Sequence, residues 1–307
     1  MDSYVYLIFT FIFVFLLYAY VALHIAISIV TPKVRKLSVT RLEESERDTS
    51  LIPFYDKNKT NEYMIKSKYG YDLAVYELIT NDKNKDFVLI DHGYTYSHYG
   101  SIKYAKMMMD LGFNVVMYDH RFHGKSGGKN STLGYYEKDD LKTIIDHLFQ
   151  LYGPIYLGTY GESMGSSTVL LEQAIDDRVQ FVISDAGFKD LKTQIARQLK
   201  VKRIPYKIFY PMVNLFVYFI AKANLSKVSP MKSIENSTIP MMFIHGKDDD
   251  YIPYQDSVDM FESYQGPKML FLAEKQAFHA RSYYFNKEVY YQKLKDFKDT
   301  YLRNSNL

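Results

Sequence analysis

Cysteine is absent from the 307-residue chain, which excludes disulfides, thiolate zinc sites and a cysteine nucleophile while leaving the redox compartment unread. A basic stripe is missing as well. The 38 Lys and Arg against 35 Asp and Glu give a formal charge of +3, and the two signs are interleaved along the chain, so there is no footprint for a nucleic acid. Tryptophan is also lacking, whereas Tyr (30) and Phe (20), Lys and Asn are abundant, a bias that suggests a bacterial genome of low GC content. Once an apolar N-terminal segment is set aside, roughly 250 to 275 residues remain, which suits one α/β domain and requires no second.

Residues 4 to 30 are apolar apart from Thr10, His24, Ser28 and several tyrosines. At about 1.5 Å per residue such a run covers the roughly 30 Å hydrocarbon core of a bilayer. No Lys or Arg precedes it and no small-x-small site closes it, so a retained transmembrane helix fits better than a cleaved signal. Lys33, Arg35, Lys36 and Arg41 follow the run, and by the positive-inside rule they place the large C-terminal part in the cytoplasm; the alternative is the extracellular face. His24 reads as a neutral interfacial side chain. Residues 31 to 61 read as a polar juxtamembrane connection whose first basic residues could also hold anionic headgroups.

From residue 62 the pattern alternates. Residues 63–68 and 73–79 flank Tyr69-Gly70-Tyr71-Asp72 as a hairpin. Strands are then expected at 87–91, 113–118, 154–160, 179–184, 240–244 and 269–272, and helices at 99–111, 136–152, 166–174 and 285–303. That alternation predicts an α/β fold: a mostly parallel sheet with helices on both faces and chemistry at the carboxyl ends of the strands.

The turn at Gly161-Glu162-Ser163-Met164-Gly165 organises this pattern. A strand that passes directly into a helix needs small residues two places either side of the exposed serine, and Gly161 and Gly165 supply them. The turn also puts the backbone N–H of Met164 at a helix N-terminus, where an oxyanion can be held. Downstream, Lys247-Asp248-Asp249-Asp250 follows a strand, so a carboxylate there lies beside the serine turn; Asp248 and Asp250 read as a solvated turn. His279 follows the last strand, placed to act as base toward Ser163 while an acid fixes its tautomer. A metal site built from His92, His120 and His123 is not expected, since no carboxylate-rich ligand set accompanies them, and no cofactor is expected.

With these residues in view, the chain resembles the α/β-hydrolase superfamily over roughly residues 60 to 305. The resemblance rests on His92-Gly93 after an early strand, Asp119-His120-Arg121-Phe122-His123-Gly124-Lys125-Ser126 against the family's D-x-R-x-H-G-x-S, the G-x-S-x-G turn, the H-G-x-x-D-x-x-[VI]-P that selects Asp249, and the late His279. In detail it is similar to bacterial membrane-anchored hydrolases grouped with serine aminopeptidase-like and lysophospholipase-like members. The resemblance implies a catalytic set of Ser163, Asp249 and His279, with the backbone N–H groups of Tyr94 and Met164 as oxyanion donors. One departure stands out: the family commonly has a small residue, often Gly, after the histidine, where this chain has Ala280-Arg281.

An insertion at about 188 to 236 carries a run at 204–221 too apolar for a solvent loop. Pro205, Lys207, Pro211 and Asn214 interrupt it as a membrane span, so it is expected to be a lid, with Lys192, Arg197, Lys200, Lys202, Arg203 and Lys207 as a basic approach to an anionic lipid surface. The expected domains are thus a transmembrane helix at 4–30, the connection at 31–61 and a hydrolase domain at 62–305. The expected function is a membrane-anchored serine hydrolase acting on a carboxylic ester of lipid-like acyl type. A peptidase, an acyltransferase or a non-catalytic interaction module on the same fold stays open.

Overall fold

The apolar, β-branched runs become the strands of a single eight-stranded sheet in a computed structural model that describes residues 3–81 and 83–302. In chain order they are β1 (Asn61–Lys66), β2 (Asp72–Leu78), β3 (Asp86–Asp91), β4 (Asn114–Tyr118), β5 (Tyr156–Glu162), β6 (Val179–Asp185), β7 (Met241–Gly246) and β8 (Lys268–Ala273). Across the sheet the order is β1-β2-β4-β3-β5-β6-β7-β8. The pairs β1/β2 and β2/β4 are antiparallel, and every other pair is parallel. Strands β3 to β7 are buried along nearly their whole length because helices cover both faces, which is why they read as unbroken apolar runs rather than alternating ones.

The helices are α1 (Ser3–Val30), α2 (Leu37–Arg47), α3 (Leu51–Asn58), α4 (Ile102–Asp110), α5 (Glu137–Tyr152), α6 (Met164–Glu172), α7 (Leu191–Val201), α8 (Tyr206–Ala221), α9 (Pro230–Ser233), α10 (Gln255–Ser263), α11 (Ser282–Phe285) and α12 (Lys287–Tyr301). One apolar cluster joins the sheet to α3, α4 and α12; a second joins its other face to α5, α6 and α10. The expected helix at 99–111 divides into a 3₁₀ turn at His98–Ser101 and α4. The expected closing helix begins earlier, as α11, and breaks at Asn286 before α12. Its expected last residue, and the end of the expected domain at 303–305, lie outside the described residues.

Residues 31 to 61 depart from the expected polar connection. They fold into α2 and α3, whose Leu51, Ile52 and Tyr55 are buried in the main core. The alternation of apolar and charged residues there is that of two short amphipathic helices, which a strongly charged composition conceals.

Among the described residues α1 alone is long and apolar enough to cross a membrane. Its 28 residues extend about 42 Å. The first half leaves Tyr4, Leu7, Phe11 and Leu16 exposed. The second half packs on the domain: Ala22, Ala26 and Val30 are buried in one apolar cluster with Val213 and Val217 of α8. Small side chains at that spacing let the two helices approach closely. The Tyr18 hydroxyl donates to the Ile208 carbonyl at 2.8 Å, fixing the start of α8 against the middle of α1.

Candidate active site

Ser163 ends the central strand β5 and begins α6, and its backbone carries the strain that such a reversal imposes, with φ 57° and ψ −112°. Both flanking glycines are required by close approach. A Cβ on Gly161 would lie 2.2 Å from the carbonyl carbon of Gly165, and one on Gly165 would lie 2.4 Å from the Asp91 carbonyl oxygen. The expected helix at 166–174 therefore starts two residues early, at Met164, directly after the serine.

The parallel strands deliver the other two residues to the same edge. Ser163 Oγ lies 2.9 Å from His279 Nε2, and His279 Nδ1 lies 2.7 Å from Asp249 Oδ2. Gly246 makes this possible, because a Cβ there would stand 1.9 Å from the Ala277 carbonyl oxygen in the loop that carries His279. Asp249 is buried, while Asp248 and Asp250 on either side are exposed. Its Oδ1 accepts the backbone N–H groups of Tyr251 and Ile252 at 2.9 and 2.8 Å.

His245 is the residue whose role the sequence reading missed. Its Nε2–H donates to Asp249 Oδ2 at 3.1 Å and to the Ile252 carbonyl at 2.9 Å, while Nδ1 accepts from the Ser257 hydroxyl at 2.7 Å. The His245-Gly246 pair that served only as a motif is thus a carboxylate-orienting donor followed by a close-approach glycine. Burial opposes ionisation of Asp249, yet the hydrogen bonds from His245 and His279 hold its carboxyl well below the usual range. Burial likewise opposes the imidazolium at His279, but the hydrogen bond and charge of Asp249, with Glu162 and Asp185 behind, raise it above the ordinary histidine value. A base with that bias takes a proton from a serine hydroxyl more readily than a free imidazole.

Of the two expected oxyanion donors, Met164 opens α6 directly after Ser163 and Tyr94 follows a glycine that lies against that serine. A Cβ on Gly93 would lie 3.7 Å from Ser163 Cβ, so the Gly93–Tyr94 peptide borders the nucleophile. No protein acceptor occupies the backbone N–H of Tyr94 or Met164 among the described residues. The loop that presents Tyr94 is held on all sides. His123 Nε2 accepts the Thr95 N–H at 3.0 Å, His92 Nδ1–H donates to the Gly93 carbonyl at 2.7 Å, and His92 Nε2 accepts the His120 N–H at 3.0 Å. These histidines are braces for the loop, and burial pushes His92, His120 and His123 below the ordinary value, so they serve as neutral rings. From the other side the Arg35 N–H donates to the Thr95 carbonyl at 3.0 Å, Thr40 and Ser97 share a 2.7 Å hydroxyl pair, and the Tyr96 hydroxyl donates to Glu44 at 2.8 Å. The stretch expected as a connection is therefore a clamp over this loop.

Beneath the serine lies a buried polar network. Glu162 receives the Lys103 ammonium and the Tyr104 hydroxyl, each at 2.5 Å. Asp185 accepts from Tyr104 at 2.9 Å and Tyr290 at 2.6 Å, and burial, then the charge of Glu162, pushes its carboxyl up to about 6. The serine opens into a cleft of about 250 Å³ lined by Arg35, Glu44, Arg47, Tyr94, Lys103 and Arg281 among others.

Nothing from the insertion at 188–236 lines this cleft, and α8 lies along α1 rather than over Ser163. The reason is apolar matching: the face of α8 that carries Val213 and Val217 packs on the small-residue face of α1. The expected basic approach is also reduced, since Arg197 forms a two-pronged ion pair with buried Asp256 at 2.6 Å on each prong. In the same way Arg35 pairs with Glu43 and Arg41 with Asp56.

The chain matches the family model described as serine aminopeptidase, S33, over residues 82–209. It is 35% identical over 260 residues to an uncharacterized protein of Bacillus subtilis, YqkD, covering 83% of this chain and 85% of that one. A zebrafish (Danio rerio) protein named lysophosphatidylserine lipase ABHD12 is 23% identical over 184 residues, 56% of this chain and 46% of the relative. Among solved structures, an esterase of Pyrococcus furiosus, Pf2001, superimposes with a TM-score of 0.65 at 21% identity, covering 79% of this chain and 91% of that chain.

Proposed function

This chain belongs to the α/β-hydrolase superfamily, and from that premise we propose that it is a membrane-anchored serine hydrolase that cleaves a lipid-like carboxylic ester through an acyl-enzyme on Ser163. The observation that carries the reading is the continuous hydrogen-bonded path from Ser163 Oγ through His279 to Asp249. Ser163 Oγ attacks the ester carbonyl carbon as its proton passes to His279 Nε2, and Asp249 stabilises the imidazolium through Nδ1–H. The carbonyl oxygen becomes an oxyanion held by the N–H groups of Tyr94 and Met164, each worth on the order of 3 kcal/mol of barrier. The C–O bond to the alcohol breaks as His279 returns the proton to it. Water, deprotonated by His279, then releases the carboxylic acid and restores the serine.

Ester chemistry is favoured over aminopeptidase chemistry by the charge of the cleft. A substrate ammonium needs an unpaired carboxylate, but Glu162 is neutralised by Lys103 and Glu44 by Arg47 at 2.8 Å. The lipid-like substrate is supported by α1, by the exposed apolar residues Ile208, Leu215 and Phe219 of α8, and by the lipase name of the zebrafish relative. The exposed half of α1 is shorter than the roughly 30 Å hydrocarbon core, so part of its packed half, with the start of α8, also enters the bilayer. By the positive-inside rule Lys33, Arg35, Lys36 and Arg41 support a cytoplasmic catalytic domain.

A fluorophosphonate probe tests the core of this proposal. It should label the protein once, at Ser163, and not the Ser163→Ala variant; an adduct elsewhere, or labelling that survives the substitution, overturns it.

A further inference from the structure

Beside the polar cleft lies a second cavity of about 270 Å³. Its walls include Ile25 and Ile29 of α1, Ile195 and Leu199 of α7, and Tyr94, which also lines the Ser163 cleft. Tyr251 completes it, with its ring 5.0 Å from that of His279. Of the polar groups in its wall, Gln194 and Gln198 donate to the Tyr251 carbonyl at 2.9 and 3.2 Å and Ser28 donates to the Ile25 carbonyl at 2.8 Å, while the exposed Lys202 also borders it. The two glutamine bonds tie α7 to the loop that carries Asp249.

We propose that this cavity receives the acyl chain of the substrate, with the leaving alcohol in the charged cleft on the other side of Tyr94, so that α1 forms a wall of the binding site. The inference rests on the serine-hydrolase reading above and assigns its acyl subsite. Its volume, about 270 Å³, lies just below the roughly 300–1,000 Å³ of small-ligand pockets, which suits one chain and not two. The substrate class is therefore a single-chain acyl ester. Because Ile25 and Ile29 belong to the helix that stands in the bilayer, a chain can pass from lipid into the cavity along α1 without crossing water.

Two measurements on the full-length chain in phosphatidylcholine vesicles test this. In the first, a long-chain alkyl fluorophosphonate with a terminal diazirine is bound at Ser163, irradiated and mapped by mass spectrometry. Crosslinks are expected within residues 25–29 or 191–202. Crosslinks confined to other segments overturn the inference while the Ser163 adduct leaves the hydrolase reading intact, and absence of the Ser163 adduct overturns both. In the second, Ile25→Trp fills the cavity from the α1 side, and Ile27→Trp alters an exposed position outside it. The ratio of kcat/KM for p-nitrophenyl decanoate to that for the acetate should fall about tenfold in Ile25→Trp, the effect of about two methylenes no longer buried, and stay level in Ile27→Trp. An unchanged ratio in a labelled Ile25→Trp protein overturns the inference, and if that variant does not fold the crosslinks on the unaltered chain decide alone.

Discussion

The hydroxyl of Tyr94 donates a 2.6 Å hydrogen bond to the Ile29 carbonyl, one residue from the end of α1, and lies 3.3 Å from the Ser28 carbonyl. One residue thus follows the glycine that borders Ser163 and gives its side chain to the last free carbonyls of the apolar helix, groups that have no partner within a helix. The Val30 carbonyl is met in turn by the Ser131 N–H at 2.8 Å. The end of α1 is built into the loop that carries the proposed oxyanion donor. Tyr94→Phe removes only the tie. A neutral hydrogen bond is worth about 1 kcal/mol, so kcat for p-nitrophenyl butyrate should fall about fivefold while Ser163 still labels; an unchanged kcat would mean that the tie does not position the loop.

Asp249→Asn should lower kcat by about 10⁴, because the amide leaves His279 in the wrong tautomer. Asp248→Asn and Asp250→Asn should stay within about twofold, both side chains being exposed, where substitutions cost little. Steady-state ester hydrolysis by the three variants separates the positions, and a crippled Asp248→Asn or Asp250→Asn enzyme would contradict the register of this loop.

The pH profile of kcat/KM should rise along a limb whose midpoint lies above 6.5, since His279 must be neutral to act as base and its partners raise it above that value. In Asp249→Asn the raising partner is gone and burial remains, so the residual limb should move to lower pH. The same shifts bear on stability. His279, raised on folding, contributes stability that is fully present below its unfolded value and is lost as pH rises through the folded one. Asp249, depressed on folding, contributes stability present above its unfolded value and lost as pH falls through the folded one. Urea denaturation across pH, in the parent and in Asp249→Asn, reads both signs.

A chain beginning at residue 31 should not behave as a clean soluble domain. It would expose the α8 face that Ala22, Ala26 and Val30 cover, adding Val213 and Val217 to the already exposed Ile208, Leu215 and Phe219. Size-exclusion chromatography should show association that detergent reverses; a monodisperse detergent-free monomer would argue that α1 and the domain are separable. On intact cells, added protease should leave the catalytic domain of the full-length protein uncut, and its cleavage would reverse the proposed orientation.

The sequence by itself determined the alternating strands and helices, the glycine-flanked serine and the order Ser163, Asp249, His279, because each depends on local rules. Strand and helix periods and the small residues of a tight turn are short-range properties. The length and apolarity of α1 were equally legible. Only the tertiary structure decided that Thr40 and Glu44 clamp the loop of Tyr94, that His245 orients Asp249, and that α8 pairs with α1 instead of covering Ser163. Each of these joins residues far apart in the chain or selects one partner among several of equal local merit. His245 and Asp249 are close in sequence, yet their contact needs the bend between β7 and the following turn. For α8 the period shows an apolar face but not what will cover it: that is settled by which surface of matching shape comes within reach once the sheet has formed.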